Sequence, residues 1–420
     1  MNPTIKARIE SIRRGEVPEG YKRTKIGIVP NEWVTNVTLK SICTINPKTE
    51  QLPDQFIYID LESVVDGVLV SKKIIKKSNA PSRAQRVLQV NDVIYQMVRP
   101  YQRNNYLFCH ESKCYKYVAS TGYAQLRAKC YAFLYYLINS DYFCAQVLEK
   151  CTGSNYPAIN SEDLASISIT YPKKEAEQQK IAEILAGQDR VIALKEKLLA
   201  EKQKQKKYLM QQLLTAKKRL PGFSGEWKRG ELGDIVVECN DGSTPSRKNS
   251  DYFNGDINWV VVEDIIPYIY STKEKLSKKG IESANLKVWK KGTVIVSTCA
   301  SIGLVGILCC EAATKQGITA ILVDENNSNE YIRFWLENEK LTLLKFAQGS
   351  SIREIRSPML LKLKINYPCL QEQVAIVKIL LTADKEIELL QKDIEQEKLK
   401  KKSLMQLLLT GIVRVDELVS

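Results

Sequence analysis

Residues 177–219 and 372–414 of this chain are one segment written twice, at a constant offset of 195 and without a gap. The first copy opens EQQKIAEIL and closes LMQQLLTAKKR; the second opens EQVAIVKIL and closes LMQLLLTGIVR. About 18 of the 43 aligned positions are identical, more than two unrelated helices share through composition. A repeat of this kind fixes the architecture before any local feature is read. Each copy follows a stretch of roughly 150 residues, the size of one domain. The 420 residues are therefore expected to form two half-molecules, each a globular domain followed by a long helix.

Both copies carry apolar residues at a seven-residue recurrence. Leu185, Ile192, Leu199, Lys206 and Leu213 make one stripe; Leu380, Ile387, Ile394, Lys401 and Leu408 make its counterpart. A companion stripe holds Ile181, Gln188, Lys195, Lys202 and Leu209 in the first copy, and Ile376, Ala383, Leu390, Glu397 and Leu404 in the second. Alternating three- and four-residue steps are the seam of a coiled coil. A helix of this length spans roughly 65 Å at 1.5 Å per residue. Neither helix buries its stripe alone, so the two are expected to pack on each other. Antiparallel packing brings the polar centres together and predicts a pairing of Lys202 or Lys206 with Glu397; two solvated charged faces are the alternative.

The offset persists outside the helices. Glu32-Trp33 matches Glu226-Trp227, Gly122 matches Gly317, Gly153-Ser154 matches Gly349-Ser350, and Tyr171-Pro172 matches Tyr367-Pro368. Between these anchors the halves barely resemble each other, so a scaffold was kept while its surface changed. Short β-rich runs (Phe56–Leu61, Val87–Val98, Trp259–Val262, Thr293–Val296) alternate with turn signals at Asp66-Gly67, Asp241-Gly242 and Lys291-Gly292. A helical run follows in each half, Ala132–Lys150 and Glu330–Phe346. Each half is expected to be a mixed α+β domain. The boundaries read as 1–172 for the first domain, 173–220 for its helix, 221–369 for the second domain, 370–415 for its helix and 416–420 for a tail.

The net charge of +14 resides in residues 1–220; the remainder sums to zero. A basic excess of this size favours a polyanionic partner, although solubility alone also accounts for it. The eleven cysteines include no C-x-x-C, which suits a reduced cytoplasmic chain rather than a disulfide framework. Cys109, His110 and Cys114 lack a fourth ligand nearby, so no metal is expected. Met1–Glu10 is polar, unlike a signal peptide. The uncharged stretch Thr293–Cys310 is short for a membrane span and broken by Gly303 and Gly306; it reads as two buried strands joined at a glycine turn. No phosphate-cradling G-x-x-x-x-G-K-[ST] loop and no Gly-rich cofactor turn occurs. Asn46-Pro47-Lys48 only approaches the stretch that amino-methyltransferases use. The chain reads as a binder without its own chemistry.

Three segments suit nucleic acid. In the first half, Tyr95–Tyr106 interleaves Arg99, Tyr101, Arg103 and Asn104 with Gln and Asn, the side chains that read base edges. Upstream, Lys72, Lys73, Lys76 and Lys77 with Arg83 and Arg86 suit phosphates. In the second half, Ser243, Thr244, Ser246, Arg247 and Lys248 form a polar loop of phosphate-contacting types. Ser350, Ser351, Arg353 and Arg356 make a further surface, placed like Ser154 to Asn160 in the first half. Solvated loops with stray basic residues are the bland alternative.

In order and duplication, these motifs resemble the specificity subunits of type I restriction–modification systems, over nearly the whole chain. The resemblance rests on Pro30-Asn31-Glu32-Trp33, Ala119–Tyr123, Ser243–Arg247, Asp256–Trp259, the Glu-Gln and Ile-x-x-Ile-Leu openings of both helices, and the endings Leu209–Thr215 and Leu404–Thr410. It implies two target-recognition domains on double-stranded DNA and two spacer helices setting the gap between half-sites at about one turn, 34–36 Å. It implies docking of two methyltransferase subunits at the helix starts, at Glu177, Gln178, Ile181, Leu185, Glu372, Gln373, Ile376 and Leu380. Those partners would bring S-adenosylmethionine for adenine methylation; motor-nuclease subunits would bring ATP and Mg for cleavage. No catalytic residue, metal or cofactor is expected on this chain, and base flipping belongs to the methyltransferase. Asp241-Gly242-Ser243 departs from the Gly-Gly-Thr-like start usual in the family, which leaves the contact role of that loop open. A methyltransferase-only system and a coiled-coil scaffold joining two protein-binding domains are the alternatives.

Overall fold

The computed structural model describes residues 3–24, 27–48, 50–110, 114–153, 155–348 and 353–416. The chain divides into two compact units: Met1–Lys195 with Asp393–Ser420, and Glu196–Lys392. The division falls inside the long helices, so each unit owns the beginning of one helix and the end of the other.

The sheets of the first unit form around alternating and continuous apolar runs. One has the strand order Tyr106–Leu107, Val93–Gln96, Tyr123–Arg127, Thr44–Ile45. Another has the order Lys73–Lys76, Gln55–Ile59, Lys116–Ser120, Ala84–Val87, with its two central strands parallel. The Val64–Val65 and Val68–Leu69 ribbon closes through Asp66-Gly67, at φ 49° and 76°, the double left-handed turn that matches strand twist. In the second unit a five-stranded sheet runs Val236–Asp241, Ile318–Val323, Val294–Ser297, Val305–Leu308, Tyr268–Ile269. Ile257–Val260 pairs parallel with Ala312–Thr314 beside it. The uncharged stretch forms the antiparallel strands Val294–Ser297 and Val305–Leu308, with Gly303 left-handed in the turn (φ 84°).

Each expected helical run is broken into two. Tyr131–Ile138 and Asp141–Lys150 part at Asn139-Ser140, where Ser140 caps the second helix by accepting from the Phe143 N–H. Asn329–Asn338 and Lys340–Phe346 part at Glu339. The sequence reading missed the helix Pro3–Arg13 and the hairpin Tyr21–Thr24 with Gly27–Pro30. These elements precede the repeated part; Arg8 and Tyr21 donate to the carbonyls of Ile412 and Gly411.

The long helices are Glu175–Leu213 and Leu370–Leu409. Both end alike. Ala216 and Gly411, one repeat apart, are left-handed (φ 57° and 70°), and the Lys218 and Val413 N–H groups reach back to the Gln212 and Leu407 carbonyls. Each of these bonds reaches back six residues and satisfies a carbonyl the helix leaves open. Antiparallel packing is seen within each unit. In the first, Glu177 pairs with Arg414, Asp189 with Lys401 and Lys195 with Asp393. In the second, Arg219 pairs with Glu372, Lys206 with Asp384 and Lys202 with Glu386. Glu177–Arg414 and Glu372–Arg219 are the same pair one repeat apart, as are Asp189–Lys401 and Asp384–Lys206. The duplicated sequence thus folds as a reciprocal, self-complementary contact. All the expected stripe positions are buried or half-buried.

The pairing of Lys202 or Lys206 with Glu397 is corrected. Glu397 instead accepts from Lys195 (2.8 Å) and from the Gln188 amide (2.7 Å). Partners' residue numbers sum to about 590 in this register, so Glu397 lies opposite the region of residue 193, about two and a half turns from Lys202 and three and a half from Lys206. Those hydrogen bonds from Lys195 and Gln188 hold the Glu397 carboxyl down at about 2.

Candidate nucleic-acid interface

The two domains present the same frame. The Met97 N–H bonds the Gly122 carbonyl and the Thr298 N–H bonds that of Gly317, so the matched glycines of the sequence occupy matched places. Ile159 donates to Met97 as Ile355 donates to Thr298, and Arg99 donates to Pro157 as Ala300 donates to Arg353. Bridges Thr152–Ala158 and Gln348–Glu354 complete the equivalence. In each unit a strand therefore ends in a tight turn strapped to the segment before a short helix, Ser161–Ala165 or Ser357–Leu361.

A second loop leaves the same corner. In the second unit the Asp241 carboxylate accepts from the Ser357 N–H (3.2 Å) and hydroxyl (3.0 Å). In the first, the Asn46 amide donates to the Ser161 hydroxyl (2.8 Å) and its carbonyl accepts from the Gln125 N–H. Asn46-Pro47-Lys48 is thus the structural counterpart of the start of the Ser243–Lys248 loop. Sequence reasoning set this segment aside; the constant offset of 195 between Asn46 and Asp241 was the available signal. Gly242 is required where it sits, because a Cβ there would lie 2.3 Å from the Thr314 and Lys315 carbonyl oxygens.

Of the expected contact residues, some are free and some are held. Lys72 and Lys73 lie at one edge strand, and Arg83 and Arg86 at the opposite edge, three strand spacings or about 14 Å apart. They are two flanks rather than one basic run. Lys72 and Arg83 are exposed, Lys73 lies 3.8 Å from Asp60, and Arg86 is half-buried. Tyr101 is half exposed. Arg99 stacks over Tyr156, 4.4 Å from its ring centre.

Arg103 and Asn104 are corrected as reading residues. Arg103 is paired with Asp141 (2.8 Å) and donates to the Asn139 carbonyl; Asn104 accepts from the Asp66 N–H and donates its own N–H to the Gln96 side chain. Polar residues that looked like a reading surface here satisfy one another inside the domain.

In the second unit Ser243 and Thr244 are half-buried, and the Ser243 N–H is bound to the Thr314 carbonyl. Ser246 and Lys248 are exposed. Arg247 is half exposed but forked onto Glu274 (2.6 and 3.1 Å) and stacked on Phe253 and Trp259. Arg353 and Arg356 are exposed beside the strapped turn; Ser154, Ser350 and Ser351 lie outside the described residues.

The helix-start residues expected to dock partners face inward, and that expectation is corrected. Gln178, Ile181 and Leu185 are buried in the first unit, and Glu372, Gln373, Ile376 and Leu380 in the second. The Gln178 and Gln373 amides hold the Pro172 and Pro368 carbonyls, while Glu177 and Glu372 are taken by Arg414 and Arg219, each in the segment that follows the opposite helix. On the outer faces Leu194 and Leu389, one repeat apart, are exposed.

Among the described residues no disulfide joins any of the cysteines. Among the described residues there is no metal-ligating cluster and no helix long and apolar enough to cross a membrane.

The sequence matches the family described as type I restriction modification DNA specificity domain twice, over residues 30–204 and 224–398. It is 30% identical over 169 residues to the type I restriction enzyme MjaIX specificity subunit of Methanocaldococcus jannaschii, covering 39% of each chain. It is 25% identical over 430 residues to the putative MjaX specificity subunit of the same organism, covering 94% of this chain and 97% of that one. The fold is shared with a chain from a type I R-M system (TM-score 0.66, 24% identity, 92% and 99% coverage). It is also shared with the HsdS subunit of Thermoanaerobacter tengcongensis (TM-score 0.50, 24% identity, 95% and 98% coverage).

Proposed function

The chain belongs to the type I restriction modification DNA specificity family, and on that premise we propose that its two domains read the two parts of a split, asymmetric DNA sequence. A subunit of this family recognises DNA sequence and is not the catalytic component of its system. The reading is carried by one observation: a single hydrogen-bonded frame, built twice, presents different side chains at matched places. Arg99 and Ala300 share one position of that frame, and the loops after Asn46 and Asp241 share another. Two readers of different bases need such a frame; two copies of one reader would keep the side chains as well.

The contact surface in the first unit comprises Lys72, Lys73, Arg83, Arg86, Arg99, Tyr101 and Lys48. In the second it comprises Ser243, Thr244, Ser246, Arg247, Lys248, Arg353 and Arg356. Exposed lysines and serines position the phosphates, while side chains at the turns read base edges. Two modification subunits dock on the outer faces of the long helices and carry S-adenosylmethionine to the adenine. Motor-nuclease subunits, with ATP and Mg, join the assembly for restriction.

Exchange of residues 221–369 for the segment of another family member tests this reading. Methylome sequencing is expected to show one half of the recognised motif replaced and the other retained. Loss or change of both halves overturns the assignment of one reader per domain. Affinity for duplex DNA is also expected to fall steeply with salt, as it must when several phosphates are neutralised; a flat profile overturns DNA as the ligand.

A further inference from the structure

We infer that residue 99, with its counterpart 300, is the base-reading position of the strapped turn, and that exposed Tyr156 holds the Arg99 guanidinium ready for a guanine. The inference rests on the DNA-reading function above and names a residue and a ligand group within it.

Four observations converge. Arg99 and Ala300 both adopt left-handed backbone, at φ 55° and 58°, a conformation that side-chain-bearing residues avoid unless the surroundings impose it. Such strain collects at functional sites. The surroundings that impose it are the same in both units, namely the bonds from residues 97 and 298 to Gly122 and Gly317 and from 99 and 300 to 157 and 353. Yet the side chain differs, arginine in one unit and alanine in the other. A position whose backbone is held and whose side chain is free to change is what a reader of varied sequences requires.

The Arg99 head is also uncommitted. Arg103 and Arg247 are each paired with a carboxylate, whereas among the described residues no carboxylate pairs with Arg99. It stacks on the ring of Tyr156, 4.4 Å away and 64% exposed. Stacking on an aromatic face restricts the guanidinium without occupying its donors. Its donor fork matches the paired acceptors of guanine in the major groove. Where Ala300 stands, the same turn offers only a methyl group, suited to the methyl of thymine or to no direct reading.

The test uses the full chain assembled with its modification subunits. Methylome sequencing of the wild type defines the motif; binding is then measured to that duplex and to duplexes changed one base pair at a time in each half. Arg99→Ala is expected to lower affinity for the motif duplex roughly ten- to hundred-fold and to become indifferent to change at one G·C pair of one half-site. Penalties in the other half should stay as in the wild type. Tyr156→Ala should act in the same direction at the same pair, with a smaller loss. Ala300 shows that the backbone accepts alanine, and circular dichroism checks that both variants are folded.

A uniform loss over all duplexes with a shallower salt dependence marks Arg99 as a phosphate contact and overturns the inference. Unchanged affinities overturn it as well. A wild-type chain that directs no two-part methylation overturns the underlying function instead, before any variant is measured.

Discussion

Arg414→Ala should unfasten the end of the second long helix from the start of the first. Arg414 gives two bonds to the Glu177 carboxylate (2.8 and 3.0 Å) and a third to Glu32. The arginine is 20% exposed and Glu177 11%. Removing one partner of a buried pair costs about 3–5 kcal/mol, and hydrogen bonds to charged groups are worth about 1.5–3 kcal/mol each. Residual exposure of both groups and the more open Glu32 place the expected loss near the lower end, at about 3 kcal/mol. For a unit of this size that is about 6–12 °C in melting temperature. Trp33, buried beside Gly411, is the one tryptophan of the first unit, so loss of its fluorescence change in a Trp33→Phe background identifies the transition. A double-mutant cycle with Glu177→Gln isolates the pair from general disruption. A coupling energy below about 0.5 kcal/mol, the range of exposed surface pairs, would refute the view that these reciprocal pairs fasten the helices.

Three further outcomes are expected. The folded Glu397 carboxyl is held at about 2, against an ordinary 4.5; its stabilising contribution is complete above the ordinary value and fades as pH falls from about 4.5 to 2. Glu397→Gln should flatten the pH dependence of urea midpoints in that window, and an unchanged slope argues against the Lys195 and Gln188 contacts. Asp384→Ala removes a carboxylate facing both Lys206 (2.7 Å) and Arg333, which is 1% exposed; with the Arg333 charge left less compensated, thermal melts should show a loss of about 3 kcal/mol. Gly242→Ala places a methyl group against the Thr314 and Lys315 carbonyls and should cost at least about 2 kcal/mol. It should also weaken discrimination in one half-site alone, read by binding to single-base variants of the motif; equal loss in both halves contradicts a local role for the loop.

The site was legible in part. Repeat anchors such as Gly122 and Gly317 were visible because a fixed offset survives where side chains have diverged, and both glycines carry the matched bond to the strapped turn. Lys72, Arg83, Ser246, Lys248, Arg353 and Arg356 were expected on the surface and are exposed, as charge and polarity dictate. Arg103 and Asn104 were misread because residue type does not reveal a partner distant in sequence: Asp141 and Asp66 lie 38 positions away in each case. Tyr156 went unnoticed since exposure of an aromatic ring leaves no mark in sequence. The helix-start residues were misassigned for a related reason. An apolar stripe announces that it will be covered, but not whether by a partner subunit or by the same chain.

Periodicity and duplication by themselves determined the two long helices, their seams and the pair of mixed α+β domains. These properties are local or repeated, so they accumulate along the sequence and can be counted there. Tertiary structure alone decided the register between the helices, and with it that Glu397 meets Lys195 rather than Lys202 or Lys206. A heptad stripe is nearly invariant to a slide of two or three turns, so only the sum of packing and ion pairs selects one alignment. It also decided which arginines are committed to carboxylates and which remain available, because a charge is free or spent only relative to neighbours that folding brings to it.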